Sequence, residues 1–396
     1  MITFLEAVNI VKNNTIRITS ERVPLSLSSG RFLAEDVYAD RDTPPFNKSA
    51  VDGFACREED LGEKLEIVET IPAGYEPSII LSKGKCSRIM TGAMIPSGAD
   101  TVVMVEECRV EEDFMFYEGG KIRDNICQKG EDIEKGKLVI SSGTLIGPVQ
   151  VAILAAMGAS SPLVFRKVKM GILSTGDEII EPDVVAQRVQ IRNSNGWQLF
   201  AQAVEAGADT TYLGIAKDEM SAVKEAISSG FKNNDVLIIT GGVSMGDFDF
   251  VPESLLSLGF QILFDKVAVQ PGKPSTFAVL KDINGNITKV VFALPGNPVS
   301  CLLQFKLLVK EWLAASAGGE LKGIWTKAPM CQDFSRRNTA RQSFIPGVLT
   351  LEGEFKPLSY NGSAHILAMG NATVIASIPI GTGDIKKGDS TTIFIL

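Results

Sequence analysis

The sequence predicts a multidomain chain of α/β and β parts. A doubly wound α/β domain sits between a helical and extended N-terminal domain, which carries a β-rich insertion, and a small C-terminal β domain. Three observations lead there. Between residues 168 and 313, apolar strands of the buried kind alternate with helices, the pattern of a parallel sheet covered on both faces. Three of those strands run directly into Gly-rich turns. On either side of this region the sequence breaks into short strand-like runs separated by Gly, Pro and charged turns.

Composition sets the outer bounds. At roughly 150 residues per domain, 396 residues make two to four domains. Hydrophobic residues at 45% and charged residues at 22% are those of a globular chain, which rules out wholesale disorder. A net charge of −8 argues against non-specific binding to nucleic acid or to an anionic membrane, though not against a local basic pocket. The longest apolar stretch, residues 149–159, is about half the length a bilayer helix needs. Glu6 falls where the apolar core of a signal peptide would begin. The six cysteines are scattered with no CxxC pair, which reads as reduced thiols in the cytoplasm, with no disulfide frame and no zinc site. His365 is the single histidine, so a Ser-His-Asp triad is disfavoured and any metal must be held mainly by oxygen ligands.

The elements follow in order. Phe4, Ala7, Val8 and Val11 share one face of a helix over residues 3–13, and Thr3 with Glu6 forms a capping box. Strand-like runs appear at 65–70, 87–90, 101–106, 114–117 and 138–141. Gly147-Pro148 opens another apolar helix to about Met157, which is expected to pack with the first. The resulting domains are 1–44 with 142–166, then 45–141, 167–317 and 318–396. Within the third, strands are expected at 168–174, 210–215, 236–240 and 290–294. Helices are expected at 197–206, 219–229 and from Pro298 to about Leu313. Asn297 is a good N-cap and Pro298 a good first helical residue.

Five segments carry candidate chemistry. In the first, Thr43-Pro44-Pro45 stiffens the approach to Asp52-Gly53, and its simplest reading is a rigid loop. In the second, a strand runs into Thr91-Gly92, where Thr91 either donates to an oxyanion or closes a turn. In the third, Ser174-Thr175-Gly176 offers a Gly turn at a strand end, followed by Asp177-Glu178. The two carboxylates either hold a cation that bridges to an anion or start a helix. In the fourth, Thr240-Gly241-Gly242-Val243-Ser244-Met245-Gly246-Asp247-Phe248-Asp249 combines close backbone approach, a hydroxyl and two carboxylates. It matches neither a Walker A loop nor a dinucleotide fingerprint. The fifth joins Lys266, Gln270-Pro271-Gly272-Lys273-Pro274 and Leu294-Pro295-Gly296-Asn297-Pro298, two point charges suited to an oxyanion beside another strand-to-helix turn. Together they describe a crevice for a phosphorylated ligand, with carboxylates for a metal and no activated nucleophile.

These segments, PPFNKSAVDGFA, RIMTGAMIPSGADTVVMVEE, KGEDI, ILSTGDEI, IRNSNG, TGGVSMGDFDF, QPGKP and ALPGNPVS, resemble in sequence and order those of the molybdopterin molybdenumtransferases, the MoeA and gephyrin E-domain family. The resemblance implies a molybdopterin-binding α/β domain. It implies insertion of molybdate into adenylylated molybdopterin with release of AMP, assisted by magnesium, as the last step of molybdenum cofactor assembly. It also implies an elongated homodimer whose cleft is shared between subunits, and a molybdopterin adenylyltransferase as the upstream partner. On the family's motifs, Asp52, Thr91, Asp132, Glu178, Asp218, Asp249 and Lys266 fall at functional positions, with Glu178 and Asp249 toward the metal. Ser174, Thr175, Gly176, Gly241, Gly242, Ser244, Lys273, Pro295 and Asn297 fall toward the pterin-phosphate pocket. In the C-terminal domain Arg341 stands near a family arginine replaced here by Pro346, and Ser363 represents a serine-rich segment. Gln270 takes the place of a family lysine. Two other readings are an adenylyltransferase, against which the flanking domains argue, and a carrier without activity, against which the retained acidic set argues.

Overall fold

The structure, a computed structural model, describes residues 1–242, 249–321, 325–359 and 362–396. Two compact units divide the chain: residues 1–35, 142–151 and 161–396 form one, and residues 36–141 with 152–160 form the other.

The larger unit is built on a six-stranded sheet of β1 (Lys169–Thr175), β2 (Asp209–Ala216), β3 (Val236–Thr240), β4 (Gln261–Lys266), β5 (Pro274–Lys281) and β6 (Ile287–Leu294), in the order β2-β1-β3-β6-β5-β4. The first four strands in that order are parallel, as expected. The sheet is nonetheless mixed, because β5 runs antiparallel to both neighbours. The cause is local. Asp282-Ile283-Asn284-Gly285-Asn286 forms a tight turn in which the Asp282 carboxylate accepts from the amides of Asn284 and Asn286, each at 2.9 Å. The core strands are apolar on both faces, and every residue of β3 is buried. Helices Ser194–Glu205, Met220–Gly230 and Val251–Ser257 connect them.

The N-terminal helix spans Phe4–Asn13 and carries the expected capping box: Thr3 Oγ1 accepts from the Glu6 amide, and Glu6 Oε2 accepts from the Thr3 amide at 2.7 Å. A cap of this kind contributes about 1 kcal/mol. Its partner differs from the expected one. Buried Ala7 and Val11 face the helical run that starts at Pro298 and continues through a π-turn, Phe305–Val309, to Lys310–Ser316. Trp312, fully buried there, donates from Nε1 to the Asn14 carbonyl at 3.1 Å. The apolar residues of the long helix therefore serve as the binding face for the short one.

The C-terminal residues of this unit form a second sheet. Gln342–Leu349, Val374–Ile378, Ser390–Ile395 and Trp325–Pro329 pair in that order, with Phe355–Pro357 on the side. Val269–Gln270, between β4 and β5, joins this sheet parallel to Gln342–Leu349. In the smaller unit the six-stranded sheet runs Thr101–Met104, Gly53–Cys56, Lys85–Ile89, Leu65–Ile71, Phe114–Tyr117 and Cys108–Glu111. Gly53 is required in it, since a Cβ there would lie 1.9 Å from the Val103 carbonyl oxygen.

Candidate active site

β1, β3 and β6 are neighbours in register, with Ser174 opposite Thr240 and Thr240 opposite Leu294. Their Gly turns therefore stand side by side at the carboxyl end of the sheet, the place where an open α/β fold binds ligands. Ser174 and Thr175 are buried and Gly176 follows them. Gly241 has φ +93°, and a Cβ on it would lie 2.4 Å from the Thr175 carbonyl oxygen, so only glycine fits. Gly242 covers the buried Thr175 hydroxyl, which has no hydrogen-bond partner among the described residues. Ser244 lies outside the described residues.

After Gly176 the chain does not enter a helix, so Asp177 and Glu178 are not helix-start residues. It continues instead into Ile179–Ile180, paired in parallel with Ile191–Arg192, and helix Ser194–Glu205 begins only after that excursion. Both carboxylates are left exposed. Asp177 Oδ1 accepts from the Asp218 amide at 3.2 Å. Burial, and after it the charges of Glu178, Asp177 and Asp249, push the Asp218 carboxyl above the usual aspartate range. Four carboxylates thus share one field at the ends of β1 and β2 and after the turn that follows β3. Among the described residues no three metal-binding side chains converge closely enough to form a complete metal site by themselves. The donor set is all hard carboxylate oxygen, which fits a magnesium ion completed by phosphate and water oxygens.

The reversal of β5 brings the lysines to the same end. Lys266 closes β4 opposite Pro274, and Thr276 lies opposite Ala293, so the segment preceding β5 sits beside the Pro295 turn end of β6. Lys273 is exposed, while Lys266 is half-buried with its Nζ 3.6 Å from Asp265. The Lys273 carbonyl accepts from the Val267 amide at 3.0 Å. Gly272, at φ +105°, backs onto Gln304. Arg341 donates from Nη1 to the Val269 carbonyl at 3.4 Å, which places it on the strand leading into Gln270. Pro346 is buried opposite Ile375 in the C-terminal sheet.

Asn297 stands at the N-cap position but does not cap. Its Nδ2 donates to Ser363 Oγ at 2.9 Å, and the Ser363 carbonyl accepts from the Val299 amide at 3.0 Å. The C-terminal segment is thereby joined to the β6 turn.

In the smaller unit Asp52 and Thr91 meet directly. Asp52 Oδ1 accepts from the Thr91 amide at 2.6 Å and from its hydroxyl at 2.7 Å, and these bonds hold the carboxyl below the usual aspartate range. Asp132 is exposed, and its amide donates to the Thr43 carbonyl at 3.0 Å. Sequence reasoning assigned no role to Thr240, Asn193 or Asn195. The density of amides and hydroxyls in IRNSNG was the available signal for the last two.

Residues 2–158 match the model for the MoeA N-terminal region (domain I and II), and residues 171–315 match that of a probable molybdopterin binding domain. A molybdopterin molybdenumtransferase of Bacillus subtilis is 36% identical over 95% of this chain and 90% of its own length. The chain belongs to the molybdopterin molybdenumtransferase family. A relative bearing the same name in Staphylococcus epidermidis is 34% identical over the whole chain and 95% of its own length. The crystal structure of a molybdopterin biosynthesis MoeA protein from Pyrococcus horikoshii OT3 covers both chains fully, with a TM-score of 0.83 at 28% identity. A second MoeA structure from that organism gives a TM-score of 0.77 at 31% identity. As a molybdenumtransferase-family member, the chain is a transferase of molybdenum cofactor biosynthesis. No helix among the described residues is long and apolar enough to cross a membrane.

Proposed function

We propose that the chain inserts molybdate into adenylylated molybdopterin and releases AMP. The observation that carries this reading is the meeting, at one end of one sheet, of a carboxylate field centred on Asp218 with Lys266 and Lys273. A purely anion-binding crevice would not retain four carboxylates, and a simple cation site would not need the lysines.

Molybdate is a dianion and the adenylate carries a diphosphate. Lys266 and Lys273 offset that charge, with Arg341 behind them. Ser174, Thr175 and Gly176 with Gly241 and Gly242 let the backbone approach the phosphates closely, and Pro295, Asn297 and Ser363 border the same crevice. Magnesium would be held by Glu178 and Asp249 and would offset phosphoryl charge as AMP leaves. Asp218, whose charged form is disfavoured by burial and by the neighbouring carboxylates, borders the same field.

Asp52, Thr91 and Asp132 belong to the smaller unit, and in this reading a second copy of the chain supplies them to the cleft of a homodimer. The substrate comes from a molybdopterin adenylyltransferase in the cytoplasm, with no nucleic acid or membrane involved.

Asp249→Asn and Glu178→Gln test the reading. Each isostere keeps volume and hydrogen bonding but removes charge. The expected result is a higher magnesium requirement for AMP release with pterin binding largely kept. Wild-type release by both variants at limiting magnesium would remove these carboxylates from the metal site.

A further inference from the structure

Asn195 is the second residue of helix Ser194–Glu205, which follows β1, yet its side chain reaches the turns of two other strands. Its Nδ2 donates to Thr240 Oγ1 at 3.0 Å, at the end of β3, and to the Gly296 carbonyl at 2.6 Å, after β6. Its Oδ1 accepts from Gln198 Nε2 at 3.1 Å. A primary amide has two donor hydrogens, and here both are committed. Two neighbours continue the pattern. The Thr240 hydroxyl donates to the Pro295 carbonyl at 3.3 Å, and Gln198 Nε2 donates to the Pro298 carbonyl at 3.0 Å. Two carbonyls of the turn, and that of the first helical residue after it, are thus held by side chains from elsewhere in the unit.

The consequence follows from peptide geometry. The bonds joining Pro295, Gly296 and Asn297 are trans, and in a planar trans peptide the N–H points opposite to the C=O. Tying the Pro295 and Gly296 carbonyls to Thr240 and Asn195 turns the amides of Gly296 and Asn297 to the other side. Gly296 and Asn297 are exposed, so those amides face outward from the end of the sheet.

We infer that Asn195 is a positioning residue that presents the Gly296 and Asn297 amides to an oxyanion of the ligand. The inference rests on the proposed reading for the identity of that ligand, adenylylated molybdopterin. Asn195 need not touch the substrate. It acts by fixing two donors in advance, which removes an ordering cost from binding. Aspartate cannot replace it, since a carboxylate has no hydrogen to offer the Gly296 carbonyl and would repel it at this distance.

The test uses the full-length protein as wild type, Asn195→Ala, Asn195→Asp, Thr240→Val and Asn195→Ala/Thr240→Val. Melting temperature, the backbone amide resonances of Gly296 and Asn297, and calorimetric affinity for adenylylated molybdopterin are measured for each. Asn195→Ala is expected to melt within a few degrees of wild type, shift both amide resonances and bind about tenfold more weakly. Asn195→Asp should bind more weakly still. The double variant should lose less affinity than the two single losses combined, because both residues act through one turn. Unchanged resonances in Asn195→Ala overturn the inference with or without ligand. Unchanged affinity in Asn195→Ala, against a wild type that binds, overturns it as well. A wild type that does not bind adenylylated molybdopterin counts against the proposed function, and the amide resonances then decide the role of Asn195.

Discussion

Asp52 Oδ1 receives two hydrogen bonds from Thr91, one from the amide at 2.6 Å and one from the hydroxyl at 2.7 Å. The loop that composition reads as a rigid connector therefore ends in an oriented carboxylate. These bonds favour its charged form. The folded-state value lies below the ordinary one of about 3.9, so their contribution is present above that pH and lost as pH falls through the depressed value. Thr91→Ala removes the hydroxyl but keeps the amide. A carbon-detected carboxyl titration should show the Asp52 value rising part of the way toward the ordinary one. No movement would mean that the hydroxyl bond is not made in solution.

Asp218 has the opposite sign. Its folded-state value is raised, first by burial and then by Glu178, Asp177 and Asp249. The penalty is absent below the ordinary aspartate value and grows as pH rises through the raised one. Asp218→Asn should therefore melt higher than wild type at pH 7, and the two should converge in acid. Thermal melts across that pH range check this, and an Asn variant less stable at neutral pH contradicts it.

Lys273 is exposed and engages the fold through its backbone carbonyl. Lys273→Ala should leave the melting temperature unchanged. The loss of a charge-assisted contact should weaken binding of adenylylated molybdopterin by roughly 1.5–3 kcal/mol. Calorimetry giving wild-type affinity would take Lys273 out of the site.

Gly241→Ala should be severe although it removes no contact. The residue sits at φ +93°, and the new Cβ would lie 2.4 Å from the Thr175 carbonyl oxygen. The left-handed conformation alone costs about 1–2 kcal/mol, and displacing the turn should abolish ligand binding. Chemical denaturation with a wild-type midpoint would show that the two turns are not packed in this way.

Much of this was legible in the sequence. β3 spans Val236–Thr240 as its apolar run predicts, and the Thr3–Glu6 capping box is present. Both signals are local. The reversal of β5 was legible in principle, from Asn284-Gly285, but alternation of strands and helices favoured an all-parallel sheet. Asp177 and Glu178 have the residue types of a helix start, and only the pairing of Ile179–Ile180 with Ile191–Arg192 shows otherwise. Asn297 satisfies the rule for an N-cap, yet Ser363, 66 residues away, takes its side chain. The placement of Lys273 beside the Pro295 turn depends on strand direction. The link from Asn195 to Gly296 depends on strand order. Neither quantity is written in any short window of sequence.

The most direct test of the central claim is AMP release under single turnover. The purified chain is mixed with adenylylated molybdopterin and magnesium, with and without molybdate, in the absence of ATP. The account predicts AMP appearing in proportion to enzyme-bound pterin when molybdate is present, and little without it. Tight pterin binding with no AMP release on adding molybdate, or turnover that consumes ATP, would contradict it.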